Sequence, residues 1–194
     1  MIAIVDYGIE KNHPLIKRLS KLKTDFKVTY NESEILHSDK VILPNTDSAS
    51  SAVKQLHLRN LFTMLRLCNK PMLGISVGMH LMSAFTKDGN LACLGIFPGT
   101  AERIDEEKKR ESDSDLSEII LIKESRLFNN IESEEIFFFE HSYYLHVDKF
   151  TSAVAGQTPI LSAAVEKENY FGVQFLPEKS GEAGSKLLNN FIEL

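Results

Sequence analysis

The sequence predicts an α/β domain with a mostly parallel central sheet, flanked by helices and extended by additional antiparallel strands. Three observations carry this expectation. In the first half, short apolar runs closed by turn residues alternate with segments whose apolar positions repeat at helical spacing. In the second half, strand signals follow one another closely. Hydrophobic residues make up 43% and charged residues 25% of the 194 positions, the balance of one folded domain with enough chain to bury a core.

Taken in order, Ile2–Val5 is an apolar run closed by Asp6-Tyr7-Gly8 and reads as a buried strand feeding a loop. Pro14 opens a helix with Leu15, Ile16, Leu19 and Leu22 on one face and lysines on the other. Phe26–Tyr30 and Lys40–Leu43 read as strands, Ser48–Leu56 and Leu58–Leu67 as helices, and Pro71–Ile75 as another buried strand. Alternation of this kind places functional groups at the carboxyl ends of the strands, here the loops after Val5, Leu43 and Ile75. Further strands are expected at Ile119–Ile122, Ile136–Phe139, Tyr143–Val147, Ala163–Val165 and Tyr170–Phe175, and a closing helix at Gly181–Ile192. Glu102–Asp115 is dense in mixed charge, so about residues 101–118 are expected to form a mobile charged loop within a single domain spanning 1–194.

A net charge of −5 argues against a nucleic-acid partner, whose phosphates need a basic face. Cys68 and Cys93 form no metal-ligand pattern and are too few for a disulfide scaffold. The start of the chain carries no basic leader, and no apolar run approaches the roughly 20 residues that cross a bilayer. A cytoplasmic protein with no membrane partner is expected.

The most informative stretch is Leu73-Gly74-Ile75-Ser76-Val77-Gly78-Met79-His80. A strand runs into Gly-x-Ser-x-Gly and then a helical Met79–Ala84, and the small flanking residues permit a strained turn that lifts the central side chain above the sheet edge. Near the other end stands Tyr170-Phe171-Gly172-Val173-Gln174-Phe175-Leu176-Pro177-Glu178-Lys179-Ser180-Gly181, and between them Phe138-Phe139-Glu140-His141-Ser142-Tyr143.

These three stretches resemble, in order and spacing, the Gly-x-Cys-x-Gly-x-Gln, Gly-x-Gln-Phe-His-Pro-Glu-x-Ser and Phe-x-His-Ser-Tyr motifs of class I glutamine amidotransferases. Within that family the chain looks most like the glutaminase subunit of imidazole glycerol phosphate synthase, through Ile-Val-Asp-Tyr-Gly at the start and Ser-Gly-x-Ala-Gly-x-Lys-Leu-Leu-x-Asn-Phe at the end. The resemblance implies the family's flavodoxin-like fold, no cofactor and no metal. It puts Ser76 at the nucleophile position, Leu176 at the histidine and Glu178 at the triad glutamate. It puts Asn45, Asp47, Val77, His80, His141, Ser142 and Tyr143 around the substrate pocket.

The departures bear on chemistry. The family's reaction needs a thiolate, a histidine that activates it and a carboxylate that orients the histidine. Ser76 lacks the acidity of a thiol, whose free pKa is about 8.5, and Leu176 offers no imidazole. Losing one central member of such a triad costs about 10⁶-fold in turnover, roughly 8 kcal/mol. The family's Pro-Gly-x-Gly turn appears as Pro44-Asn45-Thr46-Asp47. A carboxylate about 5 Å from an oxyanion would cost on the order of 3 kcal/mol.

The resulting expectation is a glutaminase-like chain without glutaminase chemistry, docked on a (β/α)8 cyclase or synthase subunit or on an amidotransferase of surface-sugar synthesis. Two alternatives stay open. One is an active subunit of imidazole glycerol phosphate synthase that supplies ammonia. The other is a serine hydrolase using Ser76, with His80, four positions on, as the first candidate base.

Overall fold

The computed structural model describes residues 1–105, 115–156 and 159–194. The first half alternates as β1 (Ile2–Val5), α1 (Pro14–Lys21), β2 (Phe26–Thr29), α2 (Glu32–His37), β3 (Lys40–Leu43), α3 (Ala49–Leu58), α4 (Phe62–Leu67), β4 (Met72–Ile75) and α5 (Val77–Met82). Short strands follow: β5 (Phe85–Thr86), β6 (Leu91–Ala92), β7 (Thr100–Arg103), β8 (Leu116–Glu118), β9 (Ile120–Leu121), β10 (Ile136–Phe138) and β11 (Tyr143–Leu145). The chain closes with β12 (Thr151–Ala155), β13 (Leu161–Lys167), β14 (Tyr170–Val173) and α6 (Gly181–Glu193).

The main sheet has the order β2-β1-β3-β4-β14-β13-β12-β9. Pairing is parallel from β2 through β14 and antiparallel from β14 to β9, which is the mixed α/β architecture expected. Because β1, β3, β4 and β14 are adjacent and parallel, the loops that follow all four open at one edge of the sheet. Two smaller sheets, β11-β7-β5-β6 and β10-β8, complete the pairing among the described residues.

The period-two alternation of the parallel strands divides the core in two. Ile2, Ile4, Ile42, Leu73 and Ile75 face one side, where α1 brings Leu15 and Leu19 and α6 brings Leu187, Leu188 and Phe191. Ala3, Val5, Val41, Leu43 and Met72 face the other, covered by Val53 and Leu56 of α3, Leu65 of α4 and Met79 and Met82 of α5. Burial on both faces is why these strands read as continuous apolar runs. Among the described residues no helix is long and apolar enough to cross a membrane.

One local expectation is corrected. Leu58–Leu67 is not one helix: α3 stops at Leu58, Asn60 takes φ 58°, and its N–H and that of Leu61 close on His57 O and Leu56 O at 3.1 and 2.8 Å. This is a Schellman closure, which satisfies the last carbonyls of α3 before α4 begins. The charged segment is bounded by structure, since β7 occupies 100–103 with Ala101 fully buried and β8 occupies 116–118. Its centre, 106–114, lies outside the described residues.

The packing of α5 on the sheet depends on absent side chains. A Cβ on Gly78 would overlap the Leu43 carbonyl oxygen, and one on Gly74 would sit 2.6 Å from Gly78 O. Gly78→Ala is therefore expected to lower stability by about 3 kcal/mol or prevent folding, through overpacking against backbone that cannot move aside. Gly181→Ala, at φ 58° with open space around it, should cost only about 1 kcal/mol. Urea midpoints of the two variants check the difference.

Candidate functional site

The turn between β4 and α5 is a tight strand-to-helix elbow, but its central side chain is buried rather than presented at the surface, with Ser76 1% exposed. Ser76 adopts φ 50°, ψ −108°, a region that a residue with a Cβ enters at a cost of about 1–3 kcal/mol. Its N–H donates to Val173 O at 2.7 Å, which continues the register between β4 and β14. Its carbonyl accepts from Met79 N and His80 N at 2.9 and 3.2 Å, so α5 starts at once, earlier than the expected Met79. Gly172 on β14 makes room for this helix, because a Cβ there would meet Met79 Cγ at 2.5 Å.

The loop after β1 meets the loop after β3 through Tyr7, whose buried hydroxyl donates to Pro44 O. His13 joins them again. Its Nδ1 accepts from Leu15 N at 3.2 Å, capping α1, and its Nε2 lies 3.1 Å from Asn45 O. Those partners require the neutral tautomer with the proton on Nε2. Burial lowers the His13 pKa in the same sense. Asn45 then reaches the elbow: its Oδ1 accepts from Val77 N at 3.3 Å.

Asn45 follows Pro44 at a position where a glycine would allow a left-handed backbone. It does not take a positive φ, and its side chain contacts the elbow instead. Asp47 is exposed, and the cap of α3 is Ser48, which accepts from Ser51 N at 3.1 Å.

The loop after β14 carries the other two triad positions. Leu176 is 1% exposed and shares an apolar cluster with Phe137, Phe139 and Phe175. Its N–H donates to Phe138 O at 2.8 Å, and Ser180 Oγ donates to Leu176 O at 2.7 Å. Glu178 is buried, and its Oε2 has no hydrogen-bond partner. Burial pushes its pKa up to about 7, against the lowering influence of its own backbone N–H, Lys179 and Arg18. Arg18 takes the Glu178 backbone oxygen with Nε and Nη2 at 3.3 and 3.0 Å, while Nη1 holds Ser185 Oγ at 3.0 Å.

His80 is a core residue. It is 2% exposed, its Nε2 donates to Gln174 Oε1 at 2.9 Å, and burial lowers its pKa to about 4. A ring so placed is a weak base engaged away from Ser76, which removes the geometric support for His80 as the base of a serine hydrolase.

His141 is half-buried, edge-on to Phe139 at 5.8 Å, and Phe139 in turn meets Phe175 at 5.7 Å. The strand after it belongs to a separate small sheet. Ser142 is exposed and accepts from Ile104 N through its carbonyl, and Tyr143 on β11 pairs with Arg103 while packing on the core that α5 also borders.

The structure thus joins Asn45 to Val77 directly, seats Leu176 and Glu178 in one turn, and leaves Asp47 and Ser142 at the surface. Tyr7, His13 and Gln174 were not singled out as site residues. The position of His13 before Pro14, at a helix start, was the available signal for one of them.

Three comparisons bear on this arrangement. The family described as Glutamine amidotransferase class-I matches residues 3–194. The chain is 34% identical over 194 residues to the imidazole glycerol phosphate synthase subunit HisH of Bacteroides fragilis, covering 100% of this chain and 99% of that protein. It is 33% identical over 201 residues to the protein of the same name from Escherichia coli K12, with the same coverage. A crystal structure of a glutamine amidotransferase superposes with a TM-score of 0.75 at 12% identity, over 99% of this chain and 97% of that one, a likeness of fold.

Two of the buried titratable groups, His80 and Glu178, pull stability in opposite directions. Between pH 6.5 and about 4 the unfolded chain binds a proton at His80 that the folded chain refuses, so stability falls towards acid. Between pH 4.5 and about 7 the folded chain keeps a proton on Glu178 that the unfolded chain releases, so stability falls as pH rises. Each effect amounts to at most about 3 kcal/mol. Glu178→Gln should remove the fall between pH 4.5 and about 7, and His80→Gln should lessen the fall towards acid, to which the lowered His13 also contributes. Urea unfolding at a series of pH values reads both slopes.

Proposed function

Because the chain belongs to the class I glutamine amidotransferase family, we propose that it is a glutaminase-subunit homologue that docks on a synthase-type partner without hydrolysing glutamine by the family's thiol route. The observation that carries this reading is position 176. A leucine packed among phenylalanines fills the place that the family resemblance gives to the histidine, and the nearby buried imidazole, His80, is bonded to Gln174. Without a base, the Ser76 hydroxyl stays protonated, and a neutral hydroxyl is a poor nucleophile toward an amide. Glu178 has no imidazole to orient, and its burial raises its pKa to about 7, so the neutral acid predominates below that pH.

The preserved scaffold supports a partner-bound role in the cytoplasm, regulatory or structural. The relatives from Bacteroides fragilis and Escherichia coli carry the name of a synthase subunit, and their likeness runs the whole length of the chain. A (β/α)8 cyclase subunit is the partner this favours. The same full-length identity favours a second reading, a working glutaminase subunit of imidazole glycerol phosphate synthase that supplies ammonia in histidine biosynthesis. That reading requires a base for Ser76 other than His80.

Glutamate release from glutamine, measured with and without a purified cyclase subunit, separates the two. Release is expected to stay at background, about 10⁶-fold below a working triad. Release that disappears in Ser76→Ala would establish the second reading. Analytical ultracentrifugation of the mixture tests docking independently of turnover: a complex is expected, and two separate species would remove the docking claim.

A further inference from the structure

In an elbow of this type the backbone N–H of the residue after the nucleophile is a donor to the oxyanion of the tetrahedral intermediate, with donors 2.7–3.1 Å from that oxygen. Here that donor is the Val77 N–H, and it is already occupied by Asn45 Oδ1 at 3.3 Å. We propose that the Asn45 side chain is an autoinhibitory occupant of the oxyanion position: a carbonyl oxygen supplied by the chain itself, held over the elbow so that the Val77 amide cannot serve a reacting carbonyl.

The loop is built to hold it there. Pro44 O takes the hydroxyl proton of the buried Tyr7, and Asn45 O takes the Nε2 proton of His13. His13 is itself fixed, because its Nδ1 caps α1 at Leu15 N. The two carbonyls of Asn45 are therefore used in two directions, the backbone towards α1 and the side chain towards α5. A residue without a side-chain acceptor at position 45 would keep the first bond and lose the second, leaving the amide at the start of α5 open. This concerns the donor at the elbow alone, and it holds whether or not glutamine is hydrolysed.

The test uses Ser76→Cys, which places a thiol at the elbow, and two reagents that distinguish chemistry from access. p-Nitrophenyl acetate reacts through an oxyanion: the thiolate adds to the ester carbonyl, and the tetrahedral adduct expels p-nitrophenolate to leave an S-acetyl group. Iodoacetamide reacts by one displacement of iodide and forms no oxyanion. The ratio of the two rates at residue 76, followed by mass spectrometry, reports the donor. Residue 76 is 1% exposed and Cys68 and Cys93 are 5% and 4% exposed, so the alkylation rate measures access at each thiol and the ratio of the two rates divides access out.

Since φ at position 45 is not positive, Asn45→Ala keeps the backbone and removes only the acceptor. In the Ser76→Cys chain it should raise the acylation-to-alkylation ratio by about 100-fold, the effect of one oxyanion donor. Asn45→Asp, which still presents an oxygen to Val77 N, should leave the ratio near the parent value. An unchanged ratio in Asn45→Ala, or an Asp variant that behaves like Ala, overturns the proposal. Hydrogen exchange in the unsubstituted chain gives a second readout that needs no variant to fold. The Val77 amide must exchange well below the open-chain rate, and exchange at that rate overturns the proposal equally.

Discussion

The backbone of α5 lies against the carbonyl of Leu43 at Gly78, with no space for even a methyl group. That approach fixes the distance between the helix and the parallel sheet, and the rest of the site follows from it. To enter a helix so close to the strand it leaves, the chain must reverse within one residue. Ser76 is that residue, at φ 50°. The strain is held by bonds on both sides, to Val173 O before the turn and from Met79 N and His80 N after it. The loop after β3 is brought over the turn by the same contact, since Leu43 ends β3 and Asn45 follows two residues later. Local strain persists only where surrounding packing over-determines it, and here the packing of one glycine does so.

Around this turn the polar groups favour their uncharged forms. His80 is driven towards neutral imidazole, Glu178 towards the carboxylic acid and Tyr7 towards the phenol, all by burial. A thiolate beside an imidazolium would be an ion pair that needs compensating dipoles in a low-dielectric interior. Serine at 76 and leucine at 176 form no such pair. Aromatic packing through Phe137, Phe139 and Phe175 then closes the space around Leu176.

Much of the frame could be read from the chain, for identifiable reasons. β1 and β3 were legible because both their faces are buried and their runs are continuous, and α1 because Pro14 marks its first turn. The helix α2 was not noticed, although Asn31 followed by Glu34 is a capping signature and Asn31 Oδ1 does accept from Glu34 N. Its one buried residue, Ile35, gives no periodicity to detect. β12 was missed because Thr-Ser-Ala-Val-Ala carries little apolar bulk, yet it is almost wholly buried. At the site, the motifs named the positions but not their partners. The bond between His80 and Gln174 spans 94 residues, and the turn of Asn45 towards Val77 depends on a side-chain torsion that no spacing encodes.

The turn from Leu176 to Ser180 is shaped almost entirely by groups other than the side chains at 176 and 178. Phe138 O, Ser180 Oγ and the Arg18 guanidinium all hold main-chain atoms, and Ser180 Oγ also receives Phe138 N at 3.0 Å. Such a turn separates the inheritance of shape from the inheritance of chemistry. The path of the backbone through 176–180 is held by bonds to main-chain atoms from residues as distant as Arg18 and Phe138.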